Sequence, residues 1–144
     1  MLVSAILRAK ATSGVLTIAP DARVGDAVAE LAARRIGALV VSSDGASVEG
    51  ILSERDVVRD VARAGGAALE GSVADLMTRE VQTAAPGDDA EAVLARMTQG
   101  RFRHMPIVEG GALTGLISLG DVVKARLSEV SMEKDALEAM VTGH

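Results

Sequence analysis

The chain contains one unit written twice, and this limits its possible folds more than any other feature. The stretch "GILSERDVVRDV", Gly50 to Val61, returns 65 positions later as "GLISLGDVVKAR", Gly115 to Arg126, with Gly, Ser, Asp and two Val residues in the same places. Upstream, Val15 to Val41 and Val81 to Val108 agree with one inserted residue, Thr17 matching Thr83 and Pro20 matching Pro86. Even the leaders correspond, "VSAIL" at Val3 to Leu7 and "VADLM" at Val73 to Met77. A period this long that occurs only twice indicates duplication of a supersecondary unit, not a solenoid.

Within each unit the hydrophobic period changes. Val15 to Ile18 is β-prone and stopped by Pro20, after which Val24, Val28 and Leu31 recur on one helical face. "GALVV" and "SVEGIL" are short apolar runs on either side of "SSDGA", whose Asp-Gly suits a tight hairpin turn. The second unit repeats this with "HMPIV", "EGGA" and "LTGLIS". Each unit closes with a helix, opened by Ser53 and ended by Gly65 and Gly66 in the first copy, and opened by Ser118 in the second. The predicted order is β-α-β-β-α in both halves, with Gly65 to Ser72 as a loop joint. One unit would expose a face of its small sheet that the other can cover.

Composition narrows the function. Apolar residues make up 49% of the 144 but aromatics only 1%, so the core is aliphatic and stacking platforms for single-stranded nucleic acid are almost absent. A formal charge of −5 argues against nucleic-acid or membrane-surface partners, and any anion site must be local. The absence of Cys removes thiolate chemistry and is compatible with a reducing compartment, and no signal peptide or spanning segment is read, so a cytoplasmic location is expected.

Ser53-x-x-Asp56 and Ser118-x-x-Asp121 admit two readings. As capping boxes, each Ser oxygen accepts from a backbone N–H while the carboxylate reaches back to the cap. As a ligand site, the helix N-terminus and the hydroxyl suit a phosphate, and the carboxylate suits a ribose diol, since both its oxygens accept. Hydroxyl for phosphate and carboxylate for sugar together describe a nucleotide.

The duplicated Gly-h-h-Ser-x-x-Asp, the Pro after the first strand and "RFRHMPIV" make the chain resemble a tandem pair of cystathionine β-synthase (CBS) domains, a Bateman module, from Val3 to about Ser128. The string from Met97 to Arg126 is similar to the small stand-alone CBS-pair proteins of bacteria. The resemblance implies an α/β fold of two β-α-β-β-α repeats packed through their small sheets in a pseudo-two-fold pair, with an extended C-terminal helix. The expected divisions are a first repeat with its leader helix at 1–66, a second at 67–128 and a helical extension at 129–144.

It also implies two clefts between the repeats for adenosine-containing ligands, AMP foremost, with ADP, ATP, NAD(H) and S-adenosylmethionine in the same class. By carry-over, Asp56 and Asp121 each hold a ribose, and Ser53 and Ser118 approach phosphate. Thr17 and Thr83, with the backbone at Gly37, Ala38 and Leu39 and at His104, Met105 and Pro106, line the base pockets. "RFRH", Arg101 to His104 with Arg103 at its centre, supplies cationic or cationisable groups to the second cleft, and Arg55 is the compensating cation of the first; Lys10 and Lys124 are weaker candidates. The departure of Gly37-Ala38-Leu39 from a His-x-Pro form argues against a triphosphate near Asp56.

No nucleophile, metal cluster or P-loop accompanies these motifs, so an enzyme is not expected, and the resemblance implies a regulatory sensor acting on a separate, unidentified target protein. Val123, Leu127, Val130, Leu137 and Val141 form an apolar stripe, interrupted at Lys134, that either folds back on the core or packs against a second subunit. The family resemblance implies a homodimer, with this C-terminal helix contributing. The rival reading is a homodimeric scaffold with vestigial clefts, in which Ser-x-x-Asp only caps helices.

Overall fold

Val24, Ala27 and Leu31 recur at helical spacing, and helix α2 (Val24–Arg34) buries all three. Ala27 and Leu31 share a core with Leu39 and Val41 of the buried strand β2 (Ala38–Val41), which lies between β1 (Thr17–Ile18, parallel) and β3 (Gly50–Ser53, antiparallel). Helix α3 (Glu54–Ala64) follows β3 directly. The second half repeats the plan with α5 (Ala90–Gly100), the hairpin β4 (His104–Glu109) and β5 (Ala112–Ser118), and α6 (Leu119–Thr142). This architecture is drawn from a computed structural model that describes residues 1–10 and 14–142.

The strand predicted to open the second unit is reduced to one parallel bridge, Ala84 to Ile107. The cause is Pro106, which stands where the first half has Val40 and offers no N–H to a neighbouring strand. The registers also move the expected insertion. Ala38 faces Ser53 and His104 faces Ser118, so His104 corresponds to Ala38, and Arg103 to Gly37. The one-residue difference therefore falls in the hairpin, where β4 and β5 have a bulge after Ile107. The first hairpin is not a tight turn. Its loop wraps around Asp44, which accepts from the N–H groups of Ala46 and Ser47 at 2.9 and 2.8 Å.

The joint predicted as a loop is a 3-10 helix over Gly65–Glu70 that buries Ala68. Helix α1 (Val3–Ala9) precedes the first repeat, yet its Val3 and Ile6 sit in the core of the second half with Val93, Met97, Met105 and Ile117. Helix α4 (Val73–Leu76) returns the exchange, placing Val73 and the following Met77 in the core of the first half with Leu31, Leu39 and Leu52. Each leader thus staples the other half, and each buried aliphatic residue contributes about 1.5–3 kcal/mol.

The exchange explains the motif glycines. A Cβ at Gly115 would stand 2.6 Å from Leu7 Cδ2, and one at Gly50 would stand 2.7 Å from Met77 Sδ. Each glycine is the socket for an apolar side chain of a leader.

The C-terminal stripe does not fold back on the core. In α6 only Val122 is buried, while Val123, Leu127, Val130, Leu137 and Val141 are exposed, Leu137 by 62%. No helix among the described residues is long and apolar enough to cross a membrane.

Candidate functional site

Ser53 ends β3 in extended conformation and so becomes the N-cap of α3. Its N–H donates to Asp56 Oδ2 at 2.9 Å, and the Asp56 N–H donates back to Ser53 Oγ at 3.4 Å. The second motif repeats the pattern, Ser118 N–H to Asp121 Oδ2 at 2.8 Å and Asp121 N–H to Ser118 Oγ at 3.1 Å. Both motifs are therefore helix caps, each a contribution of about 1 kcal/mol. The cap engages one carboxylate oxygen. Oδ1 of Asp56 is left to face Thr78, whose hydroxyl donates to it at 3.3 Å.

The two aspartates differ in a way the sequence did not announce. Lys10 Nζ lies 2.9 Å from Asp121 Oδ2 and also donates to the Leu116 carbonyl at 2.8 Å. Burial pushes the Asp121 carboxyl upward, but the Ser118 N–H and the Lys10 ammonium outweigh it and hold the group below the ordinary value. Lys10 reaches this position because α1 packs on the second half.

A cleft of about 710 Å³ opens between the halves on the Asp56 side. The start of α3 contributes Ser53, Glu54, Arg55, Asp56 and Arg59, and Thr78 comes from the segment after α4. Opposite stands the turn between α5 and β4, Arg101 to His104. Arg101 adopts a left-handed φ of 58° at the end of α5, and Arg35 does the same at 54° after α2, so this turn belongs to the fold and its side chains to the cleft. His104 meets Gly37 across the axis, its Nε2 3.2 Å from where a Cβ at 37 would stand.

This arrangement corrects the division of charge expected from the sequence. Arg55 and "RFRH" were assigned to different clefts, but the pseudo-two-fold packing brings the helix start of one repeat against the α5–β4 turn of the other, and both line the same space. His104 is also less of a cation than its type suggests. Burial lowers its pKa, with Lys10 and Arg103 adding to the effect and Glu54 and Asp121 opposing it, so the imidazole is neutral near pH 7.

Of the positions singled out in the sequence, Gly37, Ser53, Arg55, Asp56, Arg103, His104 and Ser118 line the cleft. Asp121, Thr17 and Thr83 do not. Leu39 and Met105 send their side chains into the two cores, and Ala38 and Pro106 are buried, which leaves only their backbone for a ligand. Arg59 and Thr78 were missed. Arg59 could have been found as the residue one helical turn beyond Arg55. Thr78 depends on the bridge between Ile51 and Thr78, which no local pattern announces. Among the described residues no group of three or more acidic or imidazole side chains could hold a metal ion.

The family model described as CBS domain matches residues 3–63 and again 73–128. The chain belongs to the CBS-domain family. The CBS pair is 34% identical over 127 residues to the mitochondrial CBS domain-containing protein CBSX3 of Arabidopsis thaliana, a match covering 85% of this chain and 62% of the relative. Among solved structures, the CBS-domain containing protein ATU1752 from Agrobacterium tumefaciens is 43% identical, covering 88% of this chain and 99% of that one, with a TM-score of 0.83. The CBS domain pair of protein MJ0100, solved in complex with 5'-methylthioadenosine and S-adenosyl-L-methionine, shares the fold at 19% identity and a TM-score of 0.79, covering 90% of this chain and 98% of that one.

Proposed function

We propose that this CBS pair is a regulatory module that binds an adenosine nucleotide, of the AMP, ADP, ATP or NAD(H) class, in the cleft beside Asp56 and passes its occupancy to a separate protein. One observation carries the reading: the hydroxyl and carboxylate of Ser53 and Asp56 converge with arginines of the opposite repeat on one cleft. In this reading an Asp56 oxygen accepts from the ribose, the Arg101–His104 turn meets the phosphates, and the two repeats are bridged by the ligand. That MJ0100 was solved with adenosine-containing ligands supports the choice of ligand class. Signalling follows by population shift, since a ligand touching both repeats favours the relative orientation it binds better. The role is binding, not turnover.

Self-association fits the same reading. Val58 on α3 and Val123 on α6 occupy equivalent positions and are both exposed, Val58 by 67%. Together with Leu127 they offer the apolar face that a second copy would cover. The scaffold reading is favoured by a different observation, the closed hydrogen bonding of both caps.

A melting experiment separates the two. At about 100 times its dissociation constant a ligand adds roughly 2.7 kcal/mol of stability, a shift of a few degrees. The sensor reading expects that shift from at least one adenosine derivative and its loss in Asp56→Asn, a change that keeps an oxygen for the cap. A flat response across the panel favours the scaffold.

A further inference from the structure

Arg55, Arg59, Arg101 and Arg103 all line the Asp56 cleft, and none of them forms a salt bridge with a described residue. Outside the cleft Arg23, Arg34, Arg63 and Arg126 are paired with carboxylates, whereas Arg8, Arg35, Arg79 and Arg96 form no salt bridge with a described residue either, so what sets the cleft arginines apart is that four of them share one space. Four uncommitted guanidiniums facing one space hold more positive charge than Glu54, Asp56 and Glu80, which also line it, can offset. Arg55 and Arg59 stand one turn apart on α3, while Arg101 and Arg103 approach from the opposite repeat. A guanidinium fork matches a phosphate in two-point geometry, and two pairs on opposite walls match a chain of phosphates better than one group.

The equivalent positions around Asp121 are built differently. By the strand register and the motif, Arg55 corresponds to Gly120, Arg59 to Lys124, Arg101 to Arg35 and Arg103 to Gly37. Two guanidiniums are replaced by glycine. Asp121 differs in its charge partner, because its Oδ2 takes the Lys10 ammonium as well as the Ser118 N–H, whereas Asp56 meets no cation among the described residues, and Asp121 does not line the cleft. The side chains are half-buried, with 29% exposure for Lys10 and 25% for Asp121, so water does not readily replace the contact.

We propose that the chain takes one adenosine ligand, bearing two or more linked phosphates, in the Asp56 cleft, while Lys10 keeps the Asp121 position from acting as a second ribose site. The inference rests on the adenosine reading above and adds to it the phosphate number and the stoichiometry. It places ADP, ATP or a dinucleotide ahead of AMP, and it reverses the expectation against a triphosphate near Asp56 drawn from Gly37-Ala38-Leu39, because the Arg101–His104 turn of the other repeat lines this cleft.

Isothermal titration of the full chain with adenosine, AMP and ATP tests it. The expected result is one ligand per chain, with ATP tighter than AMP by on the order of tenfold or more, since each added charge-assisted contact is a factor of about ten. The double variant Arg59→Gln, Arg103→Gln changes only exposed side chains, and it should erase most of the gap between ATP and AMP while leaving adenosine binding in place. Equal affinity for AMP and ATP, an unchanged gap in the double variant, or two ligands per unmodified chain overturns the inference while the adenosine reading stands. Failure of all three ligands to bind removes that reading as well.

Discussion

Gly50 and Met77 interlock: the thioether sulfur of Met77 stands 2.7 Å from where a Cβ at position 50 would be, so the leader of the second repeat is seated in the sheet of the first. The same contact recurs between Gly115 and Leu7. The two sockets differ, since a Cβ at Gly50 would also meet the Thr78 carbonyl at 2.9 Å, whereas the three atoms nearest a Cβ at Gly115 all belong to the movable Leu7 side chain. Gly50→Ala should cost about 2–3 kcal/mol and Gly115→Ala about 1 kcal/mol, read from urea unfolding midpoints. Equal losses would contradict the difference.

Acid sensitivity should report His104. Burial lowers its folded pKa below the unfolded value of 6.5. Above 6.5 both states are neutral and the group has no effect on stability. As the pH falls below 6.5 the unfolded chain takes the proton first, so stability declines until the folded pKa is passed. In His104→Gln that segment of the stability curve should flatten, and an unchanged slope would show that burial does not perturb the imidazole.

Asp121 works in the opposite sense. Its folded pKa lies below the ordinary carboxyl value of 3.8, so the stabilisation is present above that pH and is lost as the pH falls through the folded value. Lys10→Met removes one of the two groups that hold the carboxyl down and leaves the burial that pushes it up. Carbon-13 NMR titration of the side chain should then show a higher pKa in the variant. No movement would mean that Lys10 does not engage Asp121 in solution.

The exposed apolar face of α3 and α6 predicts self-association. Val58→Glu, with its side chain 67% exposed in the single chain, should leave monomer stability within about 0.5 kcal/mol of the parent. It should shift the protein towards monomer in sedimentation velocity. An unaltered distribution would place the contact elsewhere.

The duplication, the element order and the caps were legible because they rest on local patterns: Pro after a strand, Ser at an N-cap, Gly before the apolar pair. What stayed hidden depends on relations between distant segments. Val3 and Ile6 read as part of the first repeat but pack in the second, and only that exchange brings Lys10 to Asp121. "RFRH" read as belonging to its own repeat's motif, because the chain gives no sign that the repeats meet head to head around Gly37 and His104. The insertion was misplaced for a local reason. Pro106 and Val108 resemble ends of the run that Val41 closes, and only the pairing of His104 with Ser118 fixes the alignment.

The most direct test is equilibrium dialysis of labelled ATP against the parent chain, Asp56→Asn and Asp121→Asn, at a temperature where all three are folded. The account predicts that Asp56→Asn weakens uptake on the order of tenfold or more and that Asp121→Asn, whose carboxylate serves the cap and Lys10, retains uptake close to the parent. The reverse pattern, with binding lost in Asp121→Asn and kept in Asp56→Asn, would contradict it.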